Sequence, residues 1–271
     1  MQAIGLGRMR GERTLPNDGA CEVPLAIQRV YAAGDARLAA VAVRAAEGQC
    51  LQQVFSAPDI RKTLEIGCAY GLSAMFICSS FSGKTGACRH TIIDPYQSSV
   101  FGRRGVRNLQ EAGLRDFDLL EEPSELALPR LLAAGEQFDA ALIDGYHTFD
   151  QTMVDFYYVN RLLRVGGYLA IDDCNLPAVN RAVRYMLTYP CYRFVCSTPH
   201  GSKLRSALVG AKGVLAILLK PLTWLLGKAS YEIFDGSLIS SRILRLADTS
   251  RLMVLRKVAA DERWVSWFEY L

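Results

Sequence analysis

The chain has 271 residues, 51% of them hydrophobic, which suits one large α/β domain with additions and is short for two independent domains. Its formal net charge is only +4 and its basic residues are dispersed, so nucleic acid is not expected as a partner. Eight cysteines without a C-x-x-C pair rule out a zinc pattern and read as cytoplasmic usage, with several cysteines acting as small buried hydrophobes.

Residues Met1 to about Val23 are rich in Gly, Arg and turn formers, which predicts a loose tail, and no long apolar run marks a secretory signal. Pro24 to Phe55 is Ala-rich with long aliphatics and predicts helix, broken at Pro58 and Asp59. Strands and helices then alternate. TLEIG (Thr63 to Gly67) is a short apolar run ending in Gly, as a buried parallel strand does, and SAMFICSSF follows as a helix stopped by Gly83. HTIIDP (His90 to Pro95) is a second strand and GVRNLQEAGL a helix. DFDLLEE is a third strand, LALPRLLAAG a short helix and FDAALIDG (Phe138 to Gly145) a fourth strand. Thr148 to Leu163 predicts a helix, with Thr148 and Gln151 as its capping box and Gly166 and Gly167 as its stop. YLAIDD (Tyr168 to Asp173) is a fifth strand, and Pro177 opens a helix to about Leu187. YRFVCS (Tyr192 to Ser197) and RLMVLRKV (Arg251 to Val258) are the last strands. This alternation predicts an α/β fold, a Rossmann-like, doubly wound and mostly parallel sheet with helices on both faces.

Chemistry-bearing residues gather at the ends of these strands. In LEIGCAYG (Leu64 to Gly71), Gly67 and Gly71 would let backbone approach a ligand at a helix N-terminus, and Glu65 adds a carboxylate. The G-x-x-x-G spacing departs from the dinucleotide fingerprint, and an ordinary strand-to-helix turn is the plain alternative. Asp94, ending the next strand in IIDPY, could accept the hydroxyls of a ribose or simply cap the loop before Pro95. IDGYH supplies Asp144 and His147, and IDDCN supplies Asp172 and Asp173. If their strands are neighbours, the carboxylates converge, and a hard divalent cation such as Mg²⁺ would relieve their repulsion. Loop acids near Pro177 are the alternative.

LEIGCAYG, then IIDP, then FDAALIDGYHTFDQTMVDFYYVNRLLRVGGYLAIDD, resembles the class I S-adenosylmethionine-dependent methyltransferases. The likeness is greatest to the branch of macrocin-type and related sugar O-methyltransferases, with DGxH, a downstream Asp (Asp155), a leucine pair, GG and DD. It covers about Arg61 to Val195. It implies a seven-strand sheet whose last strand is antiparallel. It also implies cofactor contacts by Glu65, Gly67 and Asp94, adenine contacts around Ser124 and, as in metal-dependent members, an ion held at the positions of Asp144, Asp172 and Asp173; Gly71 and Asp144 join the expected cofactor set from their own places at the strand ends.

The expected reaction is O-methylation of a hydroxylated small molecule such as a sugar, glycoside or glycolipid. His147 is the candidate base beside Asp144, or else it only hydrogen-bonds its loop. An N-methyl or aminopropyl transferase on the same scaffold, and a non-catalytic cofactor-binding module, are the competing readings. The expected organisation is a tail and helical region over 1–55, the S-adenosylmethionine-binding core over 56–198, an apolar insertion over 199–248, and the last strand with a C-terminal tail over 249–271. Within the insertion, residues 204–226 (LRSALVGAKGVLAILLKPLTWLL) are apolar but interrupted by Lys212, Lys220 and Pro221, so a membrane span is not expected. Packing against the core, a lid, a homo-oligomer contact or a peripheral membrane contact would cover such a surface.

Overall fold

The computed structural model describes residues 25–32, 43–199, 218 and 249–264. The N-terminal tail, Cys21, residues 33–42 and the insertion apart from Pro199 and Leu218 lie outside the described residues. So does the assignment of 204–226 to a lid, an oligomer contact or a membrane contact.

Seven strands form one sheet: β1 (Lys62–Ile66), β2 (Arg89–Ile93), β3 (Phe117–Leu120), β4 (Phe138–Ile143), β5 (Leu163–Ile171), β6 (Tyr192–Pro199) and β7 (Ser250–Lys257). Their spatial order is β3-β2-β1-β4-β5-β7-β6. Strands β1 to β5 pair in parallel, and β7 runs antiparallel to both β5 and β6, as the resemblance implied. The chain starts in the middle of the sheet, winds outward through β2 and β3, then crosses back to β4. That reversal leaves a crevice at the C-terminal ends of β1 and β4.

The helices are α1 (Leu25–Ala32), α2 (Ala45–Phe55), α3 (Leu72–Ser79), α4 (Arg104–Glu111), α5 (Ser124–Ala133), α6 (Phe149–Leu162) and α7 (Pro177–Met186). They cover the two faces separately. Ile27, Leu51, Phe55, Phe76 and Leu109 of α1 to α4 pack with Ile92, Ala140 and Leu142. Leu128, Phe156, Val159 and Val183 of α5 to α7 pack on the other face with Leu64, Ile66, Ala141 and Ile143. Alternate residues of one strand thus serve different layers, as the pleat dictates.

Two local expectations are corrected. Gly166 and Gly167 do not stop a helix. Helix α6 ends at Leu162, Leu163 is already extended, and β5 runs through both glycines. The pairing with β4 shifts register between Phe138 and Ala140, and a Cβ on Gly167 would come within 2.7 Å of the Asp139 carbonyl oxygen, so the pair marks a bulge. The capping box forms only in half. Thr148 Oγ1 accepts from the Gln151 amide at 3.4 Å, but the Gln151 side chain turns to Ser124 and Asp155. Of the span from Pro24 to Phe55 expected to be helical, the described residues include α1 and α2.

All seven described cysteines are free thiols and five of them are buried. No helix among the described residues is long and apolar enough to cross a membrane.

Helix α2 sits on α3 through Gly48, where a Cβ would overlap the fully buried ring of Phe76. Gly48→Ala therefore sets two effects against each other. Helix propensity favours Ala by about 1 kcal/mol. Overpacking a close contact costs about 1–3 kcal/mol. We expect net destabilisation, read as a lower urea midpoint at unchanged m-value. A midpoint equal to or above that of the wild type would contradict this packing.

Candidate active site

Strands β1, β2, β4 and β5 stop level with one another. Ile66 pairs with Ile93 and Ile143, and Ile143 pairs with Ile171. The next residue of each strand therefore falls in one row: Gly67, Asp94, Asp144 and Asp172. The row is fixed by backbone bonds, from Gly67 N–H to Ile93 O at 2.9 Å, Asp144 N–H to Ile66 O at 2.9 Å and Asp172 N–H to Ile143 O at 3.1 Å. Gly67 has φ +86°, and a Cβ there would overlap the Asp144 carbonyl oxygen. Glycine is needed here because the β1 loop and the β4 end touch backbone to backbone. Gly71 has φ +81°, caps α3 and meets the carbonyl oxygen of Gly105 in the same way.

Above the row lies a cavity of about 900 Å³. Gly67, Asp94, Ser124 and Asp144 line it, as do His147, Asp172 and Asp173. Its volume is at the upper end of the usual ligand-pocket range of roughly 300–1,000 Å³. Tyr96 and Tyr146 stand at this cavity with their hydroxyls 2.6 Å apart.

Asp94 is almost wholly buried. Its Oδ2 accepts from the amides of Cys68 at 3.1 Å and Ala69 at 2.9 Å and from Gln97 Nε2 at 2.8 Å, while Oδ1 accepts from the Tyr96 amide at 2.8 Å. This carboxylate shapes the Gly67–Gly71 loop before any ligand arrives. Glu65, expected among the cofactor contacts, does not line the cavity. On β1 it points to the face opposite Leu64 and Ile66, fully buried, with Oε2 3.0 Å from His90 Nε2 and Oε1 without a partner. Ser124 is the first residue of α5, and its hydroxyl donates to Asp155 Oδ1 at 2.6 Å.

The acids converge as expected, with one change of membership. Asp144, His147 and Asp173 present ligand atoms that all lie within 4.8 Å of one another, an arrangement able to hold a metal ion. His147 Nε2 is 3.6 Å from Asp144 Oδ1 and 3.4 Å from Asp173 Oδ2. Asp172 sits deeper, outside this group, and its Oδ1 accepts from the Asp173 amide at 2.8 Å. The backbone explains the difference, because Asp173 leaves the strand in the left-handed region at φ +51° and swings its side chain to the cluster. Burial pushes Asp144 up to about 6, against the opposing pull of its His147 hydrogen bond. Burial, then the neighbouring Asp144, Glu47 and Asp173, hold Asp172 well above the usual carboxylate range. His147 is raised by its hydrogen bond to Asp144.

Residues 64–174 match the family described as "Methyltransferase domain". That span runs from β1 through the loop that carries Asp172 and Asp173. Over that span the chain is similar to methyltransferases. A catechol O-methyltransferase of Mycobacterium tuberculosis (strain ATCC 25618 / H37Rv) is 29% identical over 178 residues, covering 61% of this chain and 78% of that protein. Two solved structures share the fold. The O-methyltransferase TomG from Streptomyces achromogenes, in complex with SAM, has 20% identity and a TM-score of 0.55 over 64% of this chain and 83% of that one. The O-methyltransferase from Bacillus cereus, in complex with SAH, has 18% identity and a TM-score of 0.55 over 69% and 87%.

The cavity region also contains residues that sequence reasoning left out. Gln151 Nε2 ties Ser124 Oγ at 3.0 Å to Asp155 Oδ1 at 3.3 Å, fixing the wall at the start of α5. The N3-type spacing of Thr148 and Gln151 pointed to a cap and hid this role. Arg251 of β7 ion-pairs with Asp173 at 3.3 Å, and Glu47 of α2 ion-pairs with Arg251 at 3.0 Å. Neither residue belongs to a motif.

Asp155 is fully buried, Oδ2 has no partner, and burial raises it to about 6 although Ser124 and Gln151 hold it down. Its folded pKa lies above an unfolded value of about 3.9. The native state therefore holds this proton more tightly, and its contribution to stability is present at low pH and lost as pH rises through about 4 to 6. Asp155→Asn removes that titration and should flatten the decline in unfolding free energy between pH 4 and 6.5 by about 2–3 kcal/mol. Urea unfolding across this range checks it. Parallel pH profiles for the two proteins would refute the assignment.

Proposed function

We propose that the enzyme transfers the methyl group of S-adenosylmethionine to a hydroxyl oxygen of a small acceptor, with a divalent cation at the Asp144–Asp173 cluster. One juxtaposition carries the reading: a glycine loop braced by Asp94 and a compact Asp–His–Asp cluster open into the same cavity. The O-methyltransferase names of its relatives support oxygen over nitrogen or an aminopropyl group as the transfer chemistry. The cavity is large enough for a cofactor and an acceptor together.

The donor set fits a hard ion. Asp144 and Asp173 supply carboxylate oxygens, with Asp172 buried beside them. A divalent cation bound there lowers the pKa of an acceptor hydroxyl. The chain's own groups do the rest. Gly67, Asp94 and Ser124 shape the cofactor side of the cavity, and Glu125 and Gln151 lie on its rim near Ser124. His147, with Nε2 facing the cluster, takes the hydroxyl proton as the oxygen attacks the methyl carbon and the carbon–sulfur bond breaks. The products are the methyl ether, neutral S-adenosylhomocysteine and a proton on the imidazole. Positioning of oxygen, methyl and sulfur in line supplies much of the remaining acceleration.

The acceptor is a hydroxylated small molecule. The motif order favours a sugar, glycoside or glycolipid, and the catechol O-methyltransferase relative adds aromatic diols to the panel. The apolar 204–226 segment is proposed as the part that makes contact with a second copy or a membrane surface.

Two measurements test this reading. Transfer of a radiolabelled methyl to a panel of sugar and aromatic diols should stop on exhaustive chelation and return with Mg²⁺ or Mn²⁺. Turnover that survives chelation would remove the ion. His147→Ala should lower kcat by about 10²–10⁴-fold, the range for a lost general base. Calorimetry should meanwhile show S-adenosylmethionine binding as in the wild type. A variant with wild-type kcat would take His147 out of the mechanism.

A further inference from the structure

The active-site acid Asp173 is tied to two segments outside residues 64–174. Its Oδ1 is 3.3 Å from Arg251 Nη2, on the last strand β7. Arg251 Nε is in turn 3.0 Å from Oε1 of Glu47, on the N-terminal helix α2. We propose that Glu47 and Arg251 form a positioning pair for Asp173, so that α2 and β7 complete the methyl-transfer site. This rests on the reading of Asp173 as a member of that site.

The two oxygens of Asp173 have separate tasks. Oδ1 faces Arg251, and Oδ2 faces His147 Nε2 at 3.4 Å. Holding the first fixes the direction of the second. Without the guanidinium, Asp173 would stand beside Asp144 and Asp172 with only His147 to offset their repulsion, and rotation toward open solvent would relieve it. The backbone reinforces the tie, because the Cys174 amide donates to the Arg251 carbonyl at 2.8 Å. The non-glycine Asp173 sits at φ +51°, a conformation that persists where its surroundings hold it.

Glu47 orients the guanidinium. Its side chain is 2% exposed, and a carboxylate so buried needs a partner charge. Arg251 supplies it as an ion pair at Nε and meets Asp173 at Nη2, two nitrogens of one rigid plane where a lysine has a single ammonium. Glu47 has a second duty at the start of α2, where Oε2 accepts from the Arg44 amide at 2.6 Å. This makes Glu47→Gln an informative variant. The glutamine carbonyl can still accept from Arg44 and keep the helix start, while the charge that orients Arg251 is gone. Arg251 and Val43, just before α2, both line the cavity, so the pair acts at its wall.

The test uses the full chain with Glu47→Gln, Arg251→Lys and Arg251→Met. Crystal structures with S-adenosylhomocysteine should show Asp173 Oδ2 displaced from His147 by about 1 Å or more in Glu47→Gln and Arg251→Met, a misplacement that can cost about a hundredfold in rate. In the transfer assay kcat should fall at least about tenfold in both, while cofactor affinity stays within about twofold. Arg251→Lys should fall between them and the wild type. An unmoved Asp173 in the crystal structures would overturn the proposal. So would losses in kcat and cofactor affinity that rise and fall together with thermal stability, as a purely structural tie would give. If the wild type methylates none of the acceptors, the O-methyl reading fails alone, because the crystallographic comparison still decides the role of the pair.

Discussion

The site depends on a backbone contact at Gly67. Strand β1 lies in the middle of the sheet, between β2 and β4, and the winding direction changes there. A side chain at Gly67 would overlap the carbonyl of Asp144. With only hydrogen in that place, the β1 loop and the β4 end stay in contact and the Asp144 amide reaches Ile66 O. The level row of Gly67, Asp94, Asp144 and Asp172 follows from the register of the parallel strands. The Asp–His–Asp cluster is attached to that row or to the first residues beyond it, while Ser124, Gln151 and Arg251 reach the cavity from α5, α6 and β7.

The row concentrates negative charge where water is scarce. Asp144 and Asp172 are both raised, and the main cause in each is burial. Asp94 differs because backbone amides and Gln97 surround its carboxylate. Arg251 is the protein's own fixed positive charge beside the acids, and His147 adds one only when protonated. Their placement leaves Asp144 and Asp173 facing the cavity with incomplete compensation.

The parallel core was legible in the sequence because its signals are local. Short apolar runs ending in Gly or Asp mark β1, β2, β4 and β5, and those same terminal residues line the cavity. The departures each came from a longer-range effect. Gly166 and Gly167 read as a helix stop, yet tertiary pairing with β4 draws both into a strand with a bulge. Glu65 read as a cofactor contact from its place beside the loop, but the alternation of the pleat turns it to His90 on the far face. Asp172 and Asp173 were equivalent in sequence, and only the left-handed backbone at Asp173 separates the buried acid from the one that joins His147. Glu47 and Arg251 are separated by most of the chain and meet only because β7 inserts between β5 and β6. No local pattern announces such a pair.

The most direct test of the account is the anomalous diffraction of crystals grown with S-adenosylhomocysteine and Mn²⁺. The account places the cofactor in the cavity over Gly67 with its sulfur directed toward the acid cluster. It places one anomalous peak within coordination distance of Asp144 and Asp173. A cofactor bound elsewhere, or a cavity holding the cofactor with no anomalous peak at these carboxylates under saturating Mn²⁺, would contradict it.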